Sequence, residues 1–388
     1  MKTAAEDLYW DPFDVDIDTE PYEIWRRLRD EAPVYRNERH DFWALSRYGD
    51  VEAAHRDPAT FLSSHGTVLE LMSEEPMDTG MMIFQDPPAH TRLRSLVSRA
   101  FTPRRVSGLA DHIRELCVNL LEPWTDGADF DFVEDFGATL PSMVICELMG
   151  VPAADREWVK DKIDTTFHIE PGVGMINDVS LTARIELDAY LTRLLEERAE
   201  NPGDDLLSAL TQADLTIRES ADFANLLVSA GTETVARLLG WAAVVLDEHP
   251  DQRAELAADP SLIPNAIEEL LRYEAPSPVQ GRWTSRPVEL HGTTIPENSI
   301  VLLLTGSAGR DERVYPDADR FDIHRSFASH VSFGYGIHFC LGAALARLEG
   351  RTALEEVLRR HPSWEVDRDR AVRLHTSTVR GWSSVPVR

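Results

Sequence analysis

A mainly α-helical fold with a small β portion is predicted by three observations. Apolar residues recur at three- and four-residue spacing in "PYEIWRRLRDEA", "SGLADHIRELCVNLLEPW", "LTARIELDAYLTRLLEERAE" and "AIEELLRYEA", the period of a helix with one buried face. From Ile217 to His249 nothing breaks the chain until Pro250. Strand-like alternation is confined to a few short pieces. No repeat, low-complexity tract or linker stands out, so one domain over residues 1–388 is expected.

Taken in order, "PVYRNERHDFWALS" reads as an early hairpin. "QDPPAHTRLRSLVSRAFTPRRV" follows a methionine-rich loop, and Pro87 or Pro88 can open its helix. His90 and Arg94 then fall four residues apart on one face, an arrangement that suits a carboxylate or phosphate. "FHIEPGVGMIND" has the proline and glycine hinges of a mobile lid. The Ile217–His249 segment would be ~50 Å long as a helix. Its second half is apolar nearly all round and should be buried. "GTET" interrupts it, and buried charges and hydroxyls are expensive unless paired or working. "EELLRY" sets Glu269 and Arg272 three apart on one helix face. "VELHGTTIPENSIVLLL" reads as two short strands, Arg282 stands at the entry to another, and the last twenty or so residues look extended.

Composition excludes several roles. The formal net charge is −28, against a nucleic-acid partner and against an anionic membrane surface. The N-terminus is acidic without an apolar core, unlike a signal peptide. The longest uncharged apolar run, "LLGWAAVVL", falls far short of the ~20 residues that cross a bilayer. Cys117, Cys146 and Cys340 are few, odd in number and widely spaced, so no disulfide framework is expected and a reducing cytoplasm is.

"FGYGIHFCLG" places Cys340 just before a helix, where unpaired N–H groups favour an anion and hence the thiolate. Singly, the other clusters are ordinary: a packing glycine with satisfied threonines, a surface ion pair, a solvated basic face. Together they resemble the cytochrome P-450 family. The cysteine loop matches that family's haem-binding pattern at Phe333, Gly334, Gly336, His338, Cys340 and Gly342. "AGTET" is similar to its oxygen-activating helix motif, with Ala230, Gly231, Glu233 and Thr234 in place. Glu269 and Arg272 match its Glu-x-x-Arg pair, and "PDADRF" resembles the meander that supplies a third member, here Arg320. His90, Arg94 and Arg282 match propionate-binding positions, and "TEPYEIWRRLRDEAPVY" looks like bacterial members. Val235 stands where a second Thr or Ser is frequent, and Gly309 where Asn is usual.

The resemblance implies haem b held between the long buried helix and the cysteine-loop helix. Cys340 would ligate the iron and Phe333 would pack near its sulfur. His90, Arg94, Arg282 and His338 would neutralise the propionates, with Gly334 and Gly342 giving backbone access to the macrocycle. Glu233 and Thr234 would deliver protons to bound O2. A small apolar organic substrate would meet Met81, Met82, Leu227, Ala230 and Val279, with Leu69, Met72, Phe167 and Thr378 as further candidates. No nicotinamide or flavin fingerprint occurs, so ferredoxin and ferredoxin reductase are the expected electron donors. Arg99, Arg104, Arg105, Arg347 and Arg351 would form the docking patch. The activity implied is monooxygenation; a monomer is the default expectation. The alternatives are a peroxide-driven or ring-coupling haem-thiolate enzyme and, from a different class, a zinc-stabilised helical protein using His324, His330, His338 and Cys340.

Overall fold

A computed structural model describes residues 8–125, 129–167, 170, 174, 176–326 and 329–388. The expected lid segment lies partly outside them, at residues 168–169, 171–173 and 175. The principal helices are α1 (Tyr22–Glu31), α2 (Tyr48–Arg56), α3 (Ala89–Ala100), α4 (Ala110–Leu121), α5 (Thr139–Met149), α6 (Arg156–Thr166), α7 (Asp178–Glu200), α8 (Ile217–Glu248), α9 (Ile263–Tyr273) and α10 (Ala343–Arg360). The mainly α prediction therefore holds. Two compact units divide the chain. One takes Met1–Asp78, Ala254–Leu341 and Val372–Trp382, the other Thr79–Arg253, Gly342–Ala371 and Ser383–Arg388.

In the first unit, β1 (Val34–Asn37), β2 (Phe42–Leu45), β3 (Phe61–Leu62), β4 (Val279–Thr284) and β5 (Ile300–Leu304) form one sheet in the order β1-β2-β5-β4-β3. The early hairpin is β1 and β2, antiparallel with Val34 opposite Leu45. The β5 run "IVLLL" has no polar alternation because both of its faces are covered. Leu302 and Leu304 join Phe42, Ala44, Trp25 and Leu28 on one side, while Val301 and Leu303 join Leu45, Val51 and Ala54 on the other. "VELHGTTIPENSIVLLL" holds three strands, not two: Val288–Leu290 and Thr293–Ile295 form a tight hairpin ahead of β5. His291 and Gly292 both take positive φ (52° and 78°) and supply the two-residue turn.

In the second unit, α8 packs against α5, α7 and α10. Thr216 and Glu219 cap its N-terminus reciprocally, satisfying two otherwise unpaired donors. Residues from Val235 to Leu246 are all buried, as their apolar surround requires. Asn177 and Ser180 make the matching capping box of α7, and α5 stops at Gly150 in the left-handed conformation.

Candidate active site

The cysteine loop is built from backbone turns of the first unit. Gly334 donates to the Val331 carbonyl (2.7 Å) and Cys340 to the Phe333 carbonyl (2.9 Å), closing the loop on itself. Gly334 and Gly336 take φ of 65° and 68°, which a side chain disfavours. A Cβ on Gly336 would also lie 2.5 Å from the His55 carbonyl oxygen of α2. Cys340 carries a half-buried thiol, outside any disulfide, two residues ahead of Gly342, the N-cap residue of α10. The Phe333 ring lies 6.3 Å from that of Phe339 and 5.6 Å from that of His330.

Nearby donors belong to the same unit. The His338 Nε2 atom is 3.2 Å from the Ser63 hydroxyl. Arg282 is buried on β4 and donates to the Gly281 carbonyl at 2.7 Å. His55 is buried and neither ring nitrogen has a hydrogen-bond partner. Burial, reinforced by the Arg282 charge, pushes its pKa down to about 3, so the ring is neutral. Nothing in "AAHRDP" marks His55 in the sequence; its place beside Gly334 comes from the packing of α2. Val279 is buried at the start of β4, and its carbonyl accepts from Thr378 Oγ1 (2.8 Å). A Cβ on Gly281 would meet the Met72 sulfur at 2.5 Å, and Leu69 packs on the α1 side of the sheet.

One expectation is corrected. Glu269 and Arg272 are fully buried and pair as a fork, Nε to Oε2 at 2.7 Å and Nη2 to Oε1 at 2.8 Å. Their third partner is Arg325, whose Nε donates to Glu269 Oε1 at 3.0 Å. Arg320 is exposed and offers only its carbonyl, which accepts from Arg325 at 2.7 Å. The meander folds back after Arg320, so the later side chain reaches the carboxylate.

The second unit carries the acid–alcohol pair. Thr234 Oγ1 donates to the Ala230 carbonyl (2.9 Å) and Thr232 Oγ1 to that of Val228 (2.8 Å). Such bonds satisfy hydroxyls inside a helix. Ala230 is exposed and Thr234 half-buried, so these two residues, four apart, open one face of a helix whose second half is buried. Glu233 is largely buried with Arg237 at 3.1 Å. Burial raises its pKa, the Arg237 cation opposes the rise, and the Asp164 charge adds to it. Gly231 packs on α5, where a Cβ would come within 2.8 Å of Ile145 Cδ1.

On α3, His90 is buried and Arg94 half-buried one turn on. Burial and then the Arg94 charge lower the His90 pKa. The turn Met82–Phe84 packs against α8; Met82 is buried and Met81 half-buried before it. Leu227 is buried on α8, and Phe167 is half-buried beyond the end of α6. The predicted residues thus gather in two sets: Cys340, Phe333, Gly334, Gly336, His338, Arg282, Val279, Leu69, Met72 and Thr378 in one unit; His90, Arg94, Met81, Met82, Phe167, Leu227, Ala230, Glu233, Thr234 and Gly342 in the other.

This donor set fits haem. In the first unit, a thiol on a glycine cradle, the buried Arg282 guanidinium and the unsatisfied His55 imidazole suit a flat macrocycle bearing carboxylates. The zinc alternative fares worse: among the described residues no three His, Cys, Asp or Glu are arranged to hold a metal. His324 meets Glu255 and His330 meets Glu268. Among the described residues no helix is long and apolar enough to cross a membrane.

Comparison with known proteins agrees. Residues 176–381 match the family model described as Cytochrome P450. The putative cytochrome P450 123 of Mycobacterium tuberculosis is 43% identical over 395 residues, covering 100% of this chain and 98% of that protein. The vitamin D(3) 25-hydroxylase of Pseudonocardia autotrophica is 39% identical over 384 residues, covering 95% and 93%. The structure of cytochrome P450 CYP109Q5 from Chondromyces apiculatus superposes with a TM-score of 0.90 at 36% identity, covering 98% of this chain and 97% of that one.

Proposed function

The chain belongs to the cytochrome P450 family, and from that premise we propose a monooxygenase that places one oxygen atom from O2 into an apolar small organic substrate. The family makes it a haem- and iron-binding oxidoreductase; haem b is the form proposed. Electrons come from a ferredoxin and its reductase, and the enzyme works in the cytoplasm as one domain over residues 1–388. The observation that carries this reading is the closed loop around Cys340, which Gly334 and Gly336 turn at positive φ. Hydroxylation is supported by the 39% identical relative whose name is vitamin D(3) 25-hydroxylase.

Haem bound there supplies the electron-accepting and oxygen-activating chemistry. Cys340 would hold the iron as thiolate, and Phe333 would limit water at the sulfur. His90, Arg94, Arg282 and His338 would hold the propionates, and Gly334 and Gly342 would keep backbone close to the ring. The Thr234 hydroxyl, now bonded to the Ala230 carbonyl, would turn to donate a proton into the reacting site. Glu233, its pKa raised by burial beside the Arg237 cation, would take a proton from solvent and hand it to that hydroxyl. Met81, Met82, Leu227, Ala230 and Val279 orient the substrate and exclude water.

The test is the optical spectrum of the reduced protein under carbon monoxide. A strongly red-shifted Soret band is expected, and Cys340→Ala abolishes it. A shorter-wavelength band in the wild type rules out thiolate ligation.

A further inference from the structure

A groove runs between α6 and α7 on the surface of the second unit. At one end it opens into a cavity of about 470 Å³, walled by Trp158 and Lys162 of α6 and by Glu186, Tyr190 and Arg193 of α7. A second cavity of about 390 Å³ shares Lys162 and Glu186 with the first and continues past Thr165 and Val179. The walls are braced. The Trp158 and Tyr190 rings lie 5.2 Å apart, and the Tyr190 hydroxyl donates to Asp155 at 2.8 Å. Lys162 meets Glu186 at 2.7 Å from one helix to the other.

Large apolar side chains stand open to solvent along it. Trp158 and Val179, which line the groove, are exposed, and so are Leu181 and Ile185. Ile185, at 70% exposure, is the most open large hydrophobic among the described residues. Leu181, Ile185 and Ala189 follow one another at four-residue spacing and form one exposed stripe of α7. Single exposed apolar residues are ordinary, whereas a contiguous group marks a contact surface. The charge here is equally distinctive. α6 carries three cations, Arg156, Lys160 and Lys162, and three anions, Glu157, Asp161 and Asp164. Two of the three lysines of the whole chain are among them. The first cavity likewise sets Lys162 and Arg193 against Asp155 and Glu186. In a chain of net charge −28, this balanced ground is where a like-charged body meets least local repulsion.

We propose that this face is a two-fold interface between two copies of the chain, in place of the monomer expected from the sequence. An isologous contact needs a surface that complements itself, and here projection and groove lie side by side. Leu181 and Ile185 of each copy enter the groove of the other, against Trp158 and Val179. Both signs of charge are present on each copy, so the rim of one can pair with the rim of the other. Other occupants suit the face less well. An acidic electron donor wants a basic surface, and an anionic lipid surface wants the same. The inference is independent of how the haem site is read.

The experiment is sedimentation velocity on the holoenzyme across the micromolar range. A monomer–dimer equilibrium is expected, and added sodium chloride should strengthen it, because salt screens the overall repulsion and leaves the apolar contact. Ile185→Glu should weaken association by about tenfold or more. Its side chain is open to solvent, so the variant should fold and keep the wild-type carbon monoxide spectrum. Val314→Glu, a change at an exposed apolar residue of the other unit, should leave the equilibrium as it was. An amine-reactive cross-linker should join copies through Lys160 or Lys162. A monomer at every concentration and salt overturns the proposal, as does a dimer that Ile185→Glu leaves intact. Phosphatidylcholine vesicles test the remaining occupant: a monomer that co-sediments with them, and loses this in Ile185→Glu, overturns the proposal in favour of a lipid surface.

Discussion

Glu349, in the middle of α10, is buried completely, and neither carboxyl oxygen has a hydrogen-bond partner. Burial pushes its pKa up to about 8 from an ordinary 4.5. Across α4, the buried Cys117 thiol is raised for the same reason, with the charges of Glu356 and Glu349 adding to it. The folded state therefore keeps a proton that the unfolded chain releases. Stability from this group is fully present below about pH 4.5 and is lost as pH rises through about 8, by roughly 3–5 kcal/mol at most. Glu349→Gln should flatten that part of the pH profile in urea unfolding and be more stable than the wild type at pH 8. An unchanged slope between pH 5 and 8 would mean that the carboxyl ionises in place. The same logic applies to Glu233, which differs in having Arg237 beside it. There burial raises the carboxyl's pKa and the Arg237 cation opposes the rise.

At the scale of elements, Gly231 shows what α8 gives up for its packing. A glycine inside a helix costs about 1 kcal/mol relative to alanine. Alanine at 231 would recover that, but its Cβ would press on Ile145 Cδ1 at 2.8 Å and Cγ1 at 3.2 Å, in the fully buried seam with α5. Gly231→Ala should therefore be neutral to ~2 kcal/mol destabilising. Adding Ile145→Val removes the Cδ1 atom, and the double variant should be more stable than the two single changes summed. Additive effects in the cycle would deny the contact. Gly309 is a sharper case, since a Cβ there would strike the Arg272 carbonyl oxygen, which is why the asparagine common at this position is not accommodated here. The bounds of α8 were readable because period and breaks are local properties: the stretch ends at Pro250 and the helix at Glu248. The cysteine loop was readable for a similar reason, as spacing within ten residues. Arg325 and His55 were not, because each depends on how distant backbone segments pass one another. Nor was the parallel pairing of β2 with β5, which joins Leu45 to Leu303. The extra strand was missed because His291 takes a positive φ that its residue type rarely announces.

At the scale of the whole molecule, a charge of −28 poses a problem for a partner that is itself acidic. Screening limits how far it matters. The Debye length is about 8 Å at physiological ionic strength, so an approaching ferredoxin senses the local patch more than the total. In the second unit, the short helix Pro103–Ser107 packs against α10, bringing the segment of Arg104 to that of Arg347 and Arg351. Arg104 is exposed and Arg351 half-buried. Arg105 is less available: it faces Asp204 at 3.8 Å and donates to the Asp205 carbonyl at 3.3 Å. The proposed docking surface therefore centres on Arg104 and Arg351. Reversing both, as Arg104→Glu with Arg351→Glu, should lower kcat/KM for a small acidic ferredoxin by about tenfold or more at low salt. The carbon monoxide spectrum and substrate affinity should stay as in the wild type, because neither residue is placed at the haem or the substrate. The deficit should shrink as sodium chloride is raised, since the lost attraction is screened in the wild type as well. A rate unaffected at every ionic strength would move the electron entry point to another face. A loss that persists undiminished at high salt would instead report a short-range contact at these positions.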